Sequence, residues 1–208
     1  MRRLAFVFAL CAAVLVALSG TAVADTTLTF TGVNGASQGG YYVSPYTATV
    51  NGVPTMIFCD DFVHEVTWNE TWTAYVSSFD SLTHVRFKDD DTLQDYDEAA
   101  FLIEQSLSHP SEYGNVQYAI WAIFNPTQAE GSSGFITSGT DSSSYWLSLA
   151  ESQHFHPGEF SNWRVYTPKD SGEGSPQEML GPTPAPEPGT LLLLGTGMVG
   201  LIRKRRKQ

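Results

Sequence analysis

Two apolar segments, one at each end of the chain, limit how much of it can fold. The first runs from Leu4 to Leu18 behind Arg2 and Arg3 and closes on Ala22-Val23-Ala24, the small-x-small pattern that signal peptidase accepts. Residues 1–24 therefore read as an export signal cut before Asp25. The run is short for an uncleaved membrane helix, and Cys11 lies inside it, not behind it where a lipid-modified cysteine belongs. The second segment, Gly189 to Ile202, follows Pro186-Glu187-Pro188 and precedes Arg203-Lys204-Arg205-Arg206-Lys207. That order reads as spacer, membrane stop and cytoplasmic charge. As a helix the segment reaches roughly 21 Å, against an apolar bilayer core of about 30 Å. Such a length suits transient insertion during processing better than a permanent anchor. About 160 residues remain between the signals, enough for one domain with a true core.

The three-part tail, with its motif Pro186, Glu187 and Pro188, resembles the PEP-CTERM sorting signal over residues 186–208. The resemblance implies transfer to an exosortase, a membrane protease-transpeptidase, and a destination at the cell surface or outside the cell. Without residues 1–24 and the apolar and basic parts of the tail (189–208), only Arg86, Lys88, Arg164 and Lys169 face 22 acidic residues, a net charge near −18. That surplus argues against nucleic acid or anionic lipid as a partner and for a soluble, self-repelling surface. Cys59 is then the single cysteine. No internal disulfide can form, although the compartment permits one.

The first half has a strand-like pattern. Thr26 to Phe30 alternate, and Tyr46 to Val50 join Val53 to Cys59 through Asn51-Gly52, a two-residue hairpin signal. Pro54 suggests an edge position or a late start for the second arm. Val66 to Trp68 and Thr71 to Val76 suggest another hairpin around Asn69-Glu70. The period then changes. Asp95 and Glu98 read as a capping box, and Ala99, Leu102, Ile103 and Leu107 recur at helical spacing up to His109-Pro110. A second helix is expected from Asn115 to Phe124, with Gln117, Ile120, Trp121 and Phe124 on one face. A third spans Ser143 to His154 after a Gly/Ser-rich loop, and a strand follows at Trp163 to Tyr166. Residues 167–188, rich in Pro, Gly, Ser and Glu, read as a flexible stalk. The expectation is one α+β domain over 25–166, its antiparallel β-rich N-terminal half forming a sandwich or barrel-like sheet with two to three helices packed on it.

Phe58-Cys59-Asp60-Asp61 at a strand end and Gln117-Tyr118-Ala119-Ile120-Trp121 on a helix form the sharpest chemical pairing. A thiol held beside a glutamine amide can attack its carbonyl carbon and expel ammonia, which leaves an internal thioester. Proximity replaces a slow encounter, and aromatic neighbours such as Phe58 and Trp121 would keep water out. At these residues the chain resembles the thioester domains of bacterial surface adhesins, with Val116 where those domains carry Thr and two acids after the cysteine. The resemblance implies a Cys59-Gln117 bond, opened by an amine on an extracellular partner protein. Formation would be self-catalysed, so the chain is not read as an enzyme.

Other readings stay open. A lone buried cysteine and an Ala-Ile-Trp helix face also serve as plain core. The five tryptophans and nine tyrosines suit a non-covalent module for a polysaccharide matrix or other carbohydrate. A cysteine hydrolase would pair Cys59 with His64, His84 or His109. Asp89-Asp90-Asp91 with Asp95, Asp97 and Glu98 lack the spacing of a calcium loop, and they read as a solvated acidic lead into a helix. His154 and His156 lack a third ligand. No metal or cofactor is expected.

Overall fold

The computed structural model describes residues 25–183. The export signal, the sorting tail and residues 184–188 of the expected stalk lie outside the described residues. Six strands close into an antiparallel barrel: β1 (Thr26–Val33), β4 (Tyr46–Val50), β5 (Val53–Cys59), β6 (Thr71–Ser78), β7 (Trp163–Pro168) and β8 (Met179–Pro182), in the order β1-β4-β5-β8-β7-β6. Two short strands, β2 (Ser37–Gln38) and β3 (Tyr41–Tyr42), form a separate hairpin. The β-rich half with a barrel-like sheet and helices packed on it is the architecture expected from the residue pattern.

Local chemistry fixes the β4–β5 hairpin. Asn51 and Gly52 take φ of 51° and 81°, the left-handed pair that a two-residue hairpin turn demands. The Asn51 side-chain oxygen accepts from the Thr27 N–H at 2.9 Å, tying the turn to β1. Alternation then sorts side chains between two layers. Leu28, Val50, Ile57, Cys59, Tyr166 and Met179 join the apolar cluster inside the barrel. Phe58, Val165 and Leu180, their strand neighbours, point outward into a second cluster built with the helices.

Those helices are α1 (Thr92–Ser108), α2 (Tyr113–Phe124, after a short 3-10 turn at Pro110–Glu112), α3 (Pro126–Glu130) and α4 (Ser143–Glu151). Helix α1 starts three residues before the expected cap, so Asp95 and Glu98 do not form a capping box; Glu98 instead accepts from Gln94 at 2.7 Å. Ala99, Leu102 and Ile103 are fully buried, whereas Leu107 is exposed on the last turn. Helix α4 is capped by Ser142, whose hydroxyl accepts from the Tyr145 N–H. Helix α2 contributes to both layers: Tyr118 and Trp121 join the barrel cluster, while Val116, Ala119 and Ile120 join the outer one. Among the described residues no helix is long and apolar enough to cross a membrane. The 189–202 segment lies outside them.

Two further expectations are corrected. Val66 to Trp68 form no strand. Thr67 to Glu70 make a turn in which the Glu70 carboxylate accepts from the Thr67 N–H and hydroxyl, and β6 pairs with β1 and β7 instead. The larger correction concerns the expected stalk, because Thr167 and Pro168 end β7, Met179–Pro182 form β8, and the loop between them carries buried residues at 175–178. Met179 pairs with Cys59 and Leu180 with Phe58, so β8 closes the gap between β5 and β7. The polar composition misleads because its buried members have partners: Glu178 accepts from Tyr96, Thr167 and Arg86.

Candidate functional site around Cys59 and Gln117

Cys59 is the last residue of β5 and is fully buried. Its Sγ donates to the Asp61 carbonyl at 3.1 Å and accepts from the Trp121 indole N–H at 3.4 Å. Gln117, 1% exposed on α2, faces the same residue. The Gln117 Nε2 donates to the Cys59 carbonyl at 2.6 Å, and its Oε1 accepts from the Ser44 N–H at 3.2 Å. Ser44 closes the ring, since its hydroxyl accepts from the Cys59 N–H at 3.0 Å. The carboxamide is thus held by two backbone groups beside the thiol-bearing residue. The Ser44 N–H also lies where negative charge would develop on Oε1 if the amide carbon were attacked.

The two expected shielding residues part company. Trp121 touches the sulfur. Phe58 lies on the other face of β5, its ring 5.9 Å from that of Trp163, because adjacent strand residues point to opposite sides. Cover on the sulfur side comes instead from Phe62 and Tyr41, whose rings lie 4.9 and 6.3 Å from Trp121. Neither these residues nor Ser44 carried a sequence signal. Tyr41 sits on the β2–β3 hairpin, and only the fold brings that hairpin to α2.

Burial pushes the Cys59 thiol well up, and the charges of Asp60 and Asp61 push it further. The sulfur is therefore held neutral, whereas a hydrolase nucleophile needs a stabilised thiolate. The candidate bases are engaged elsewhere: His84 stacks on Tyr75 at 4.4 Å, and His109 bonds the Gln105 carbonyl. His64 bonds Asp61, its Nδ1 2.9 Å from Oδ2. His154 and His156 are exposed on the loop after α4.

The two acids after Cys59 have opposite fates. Asp60 is fully buried, and its carboxyl meets no neutral or cationic donor among the described residues; its hydrogen-bonding neighbour is another acid, Glu178. Burial raises its pKa well above the usual carboxylate range, and the Glu178 and Asp61 charges add to that. Burial pushes Asp61 the same way, but the His64 hydrogen bond and the Arg86 charge outweigh it and hold the group low. Burial thus favours the protonated form of Asp60, whereas Asp61 is held as an anion between Arg86 and His64.

The other acidic group leads into α1, where the Asp89 carboxylate accepts from the Asp91 N–H. Burial raises Asp95 and Asp97 from 3.8 to about 6, with help from Asp89 and Glu98 for the former and Glu159 for the latter. Both bind protons more tightly in the folded chain. Their favourable contribution is complete below the unfolded value of 3.8 and is lost as pH rises through about 6. Asp61 works oppositely, since its contribution is present above 3.8 and disappears as pH falls through its lowered folded value. The melting temperature is expected to fall between about pH 4 and pH 6.5, and Asp97→Asn should flatten that slope in a series of thermal melts.

Beside the sulfur lies a cleft of roughly 430 Å³ lined by Tyr41, Tyr42, Phe62, Trp68 and Trp121, with His64 and Glu65 as its ionisable groups. Tyr42 and Trp68 are well exposed. Trp121 both lines the cleft and touches Sγ, so one indole stands between the cleft and the buried Cys59-Gln117 pair, neither member of which lines it.

Comparison with known families adds the compartment. The model of the PEP-CTERM protein-sorting motif matches residues 184–207. The tail is a PEP-CTERM sorting signal. Such a motif supports export and processing by an exosortase, with transient membrane anchoring before that step. The PEP-CTERM match covers the tail alone. No curated protein and no solved structure matches the chain.

Proposed function

We propose that the barrel domain attaches this exported protein covalently to an extracellular partner through an internal thioester between Cys59 and Gln117. The observation that supports the reading is the double anchoring of the Gln117 carboxamide, Nε2 on the Cys59 carbonyl and Oε1 on the Ser44 N–H. In the condensation the Cys59 sulfur bonds to the Gln117 amide carbon, the C–N bond breaks, and the thiol proton leaves with the nitrogen as ammonia. Loss of the S–H donor does not orphan the Asp61 carbonyl, because Gln177 Nε2 already donates to it at 3.0 Å. The product is neutral, which suits a site that penalises a thiolate. An amine that attacks the acyl group becomes amide-linked to Gln117 and frees the thiol. Incubation with methylamine followed by peptide mapping should place one methylamide on Gln117 and expose one new thiol. An unmodified Gln117 in chain that retains native structure would oppose the reading.

The exposed Tyr42 and Trp68 favour a second reading, a non-covalent carbohydrate-binding cleft. Glycan binding that persists in Cys59→Ala and is lost in Trp68→Ala would select it.

A further inference from the structure

The cleft holds a paired base that thioester formation leaves unused. The His64 Nδ1 faces both Asp61 oxygens, at 3.1 and 2.9 Å. Asp61 is itself fixed by the Arg86 guanidinium and donates no proton, being held as the anion. Its oxygens therefore hold the Nδ1–H, and the lone pair is left on Nε2. Asp61 also orients His64 through the backbone, since Oδ1 accepts from the N–H groups of Val63 and His64. The same residue's carbonyl accepts the Cys59 thiol. A single residue thus connects the imidazole at the cleft wall to the sulfur behind it.

The cleft's chemistry selects its occupant by charge. Aromatic faces of Tyr41, Tyr42 and Trp68 attract a cation, Glu65 adds a carboxylate, and the mature chain carries 22 acids against four bases. A primary ammonium meets these features, but its nitrogen has no lone pair until a proton is removed. Resting on the thioester reading above, we propose that His64 is the general base that deprotonates a lysine ammonium of a partner protein in this cleft. His64 Nε2 takes the ammonium proton and passes it to solvent. The freed lone pair forms the C–N bond to the Gln117 acyl carbon, and the C–S bond breaks. The second amine proton ends on the Cys59 sulfur, which regenerates the thiol.

Two small nucleophiles separate this role from a structural one. Methylamine is almost wholly protonated at neutral pH and needs a base, whereas hydroxylamine is largely unprotonated and does not. Opening of the thioester in the mature chain would be followed by thiol release for the parent and for His64→Asn and His64→Gln. Both variants should keep the ammonia deficit in intact mass. Their methylamine reaction should slow about 10²-fold, with hydroxylamine opening near the parent rate. Equal slowing of both reagents, or no slowing of either, would overturn the role of His64 while leaving the thioester standing. A variant without the deficit would also overturn it, because His64 would then act in bond formation. A parent without the deficit would remove the thioester reading itself, and the His64 proposal with it.

Discussion

Arg86→Met should lower the unfolding free energy by about 3–5 kcal/mol, the usual result of stripping one partner from a buried ion pair. Arg86 connects three otherwise separate pieces. Its guanidinium pairs with the fully buried Asp61, and its Nη2 donates to the Ser175 hydroxyl at 2.9 Å and the Pro176 carbonyl at 3.1 Å. Its own N–H donates to Glu178 at 2.8 Å. The methionine keeps the aliphatic stem but leaves the Asp61 charge without its cation. The segment that leads into β8 also loses two hydrogen bonds. Urea denaturation at pH 7 gives the measurement, and a loss below about 1 kcal/mol would place the pair among weak surface contacts.

Trp121→Ala should cost a similar amount, about 3–5 kcal/mol, as expected for truncation of a large buried aromatic. The indole is 2% exposed. It packs edge-on against Tyr118 at 5.0 Å and Phe62 at 4.9 Å, so its removal leaves a cavity between the barrel cluster and the cleft. A chemical effect follows from the same geometry. On the proposed thioester reading, Trp121 stands between the sulfur and the cleft, and its loss would admit water to the acyl bond. Trp121→Phe restores most of the packing but not the N–H that reaches Sγ. The alanine variant should therefore lose both stability and thioester lifetime, and the phenylalanine variant mainly lifetime, as read by denaturation and by the rate of thiol release in buffer.

Local signals in the residues predicted local structure well. Asn51-Gly52 specified a hairpin because few sequences accept two left-handed residues in succession. Ala99, Leu102 and Ile103 marked a helix face because period and burial coincide there. Cys59 and Gln117 were singled out from their motifs, and the fold sets the Gln117 amide against the Cys59 carbonyl, a contact that core packing alone would also allow. Several of the misjudged parts depended on partners distant in sequence. Glu178 looked like a solvated stalk residue until Tyr96, Thr167 and Arg86 supplied its donors. Ser44 had no motif, because its contribution is a backbone N–H placed by the fold. Phe58 was assigned to the shield by adjacency, although adjacency in a strand places a side chain on the opposite face.

A bond of this kind changes the mass of the chain, and nothing else in the site does so by the same amount. The most direct test is the intact mass of the mature protein, purified without amines and compared with Cys59→Ala and Gln117→Ala. A parent lighter than its calculated mass by one ammonia, with no titratable thiol, and both variants at full mass, is the expected result. A parent at full calculated mass with one thiol titrating after denaturation would contradict the thioester, and Cys59 and Gln117 would then be hydrogen-bonded core residues.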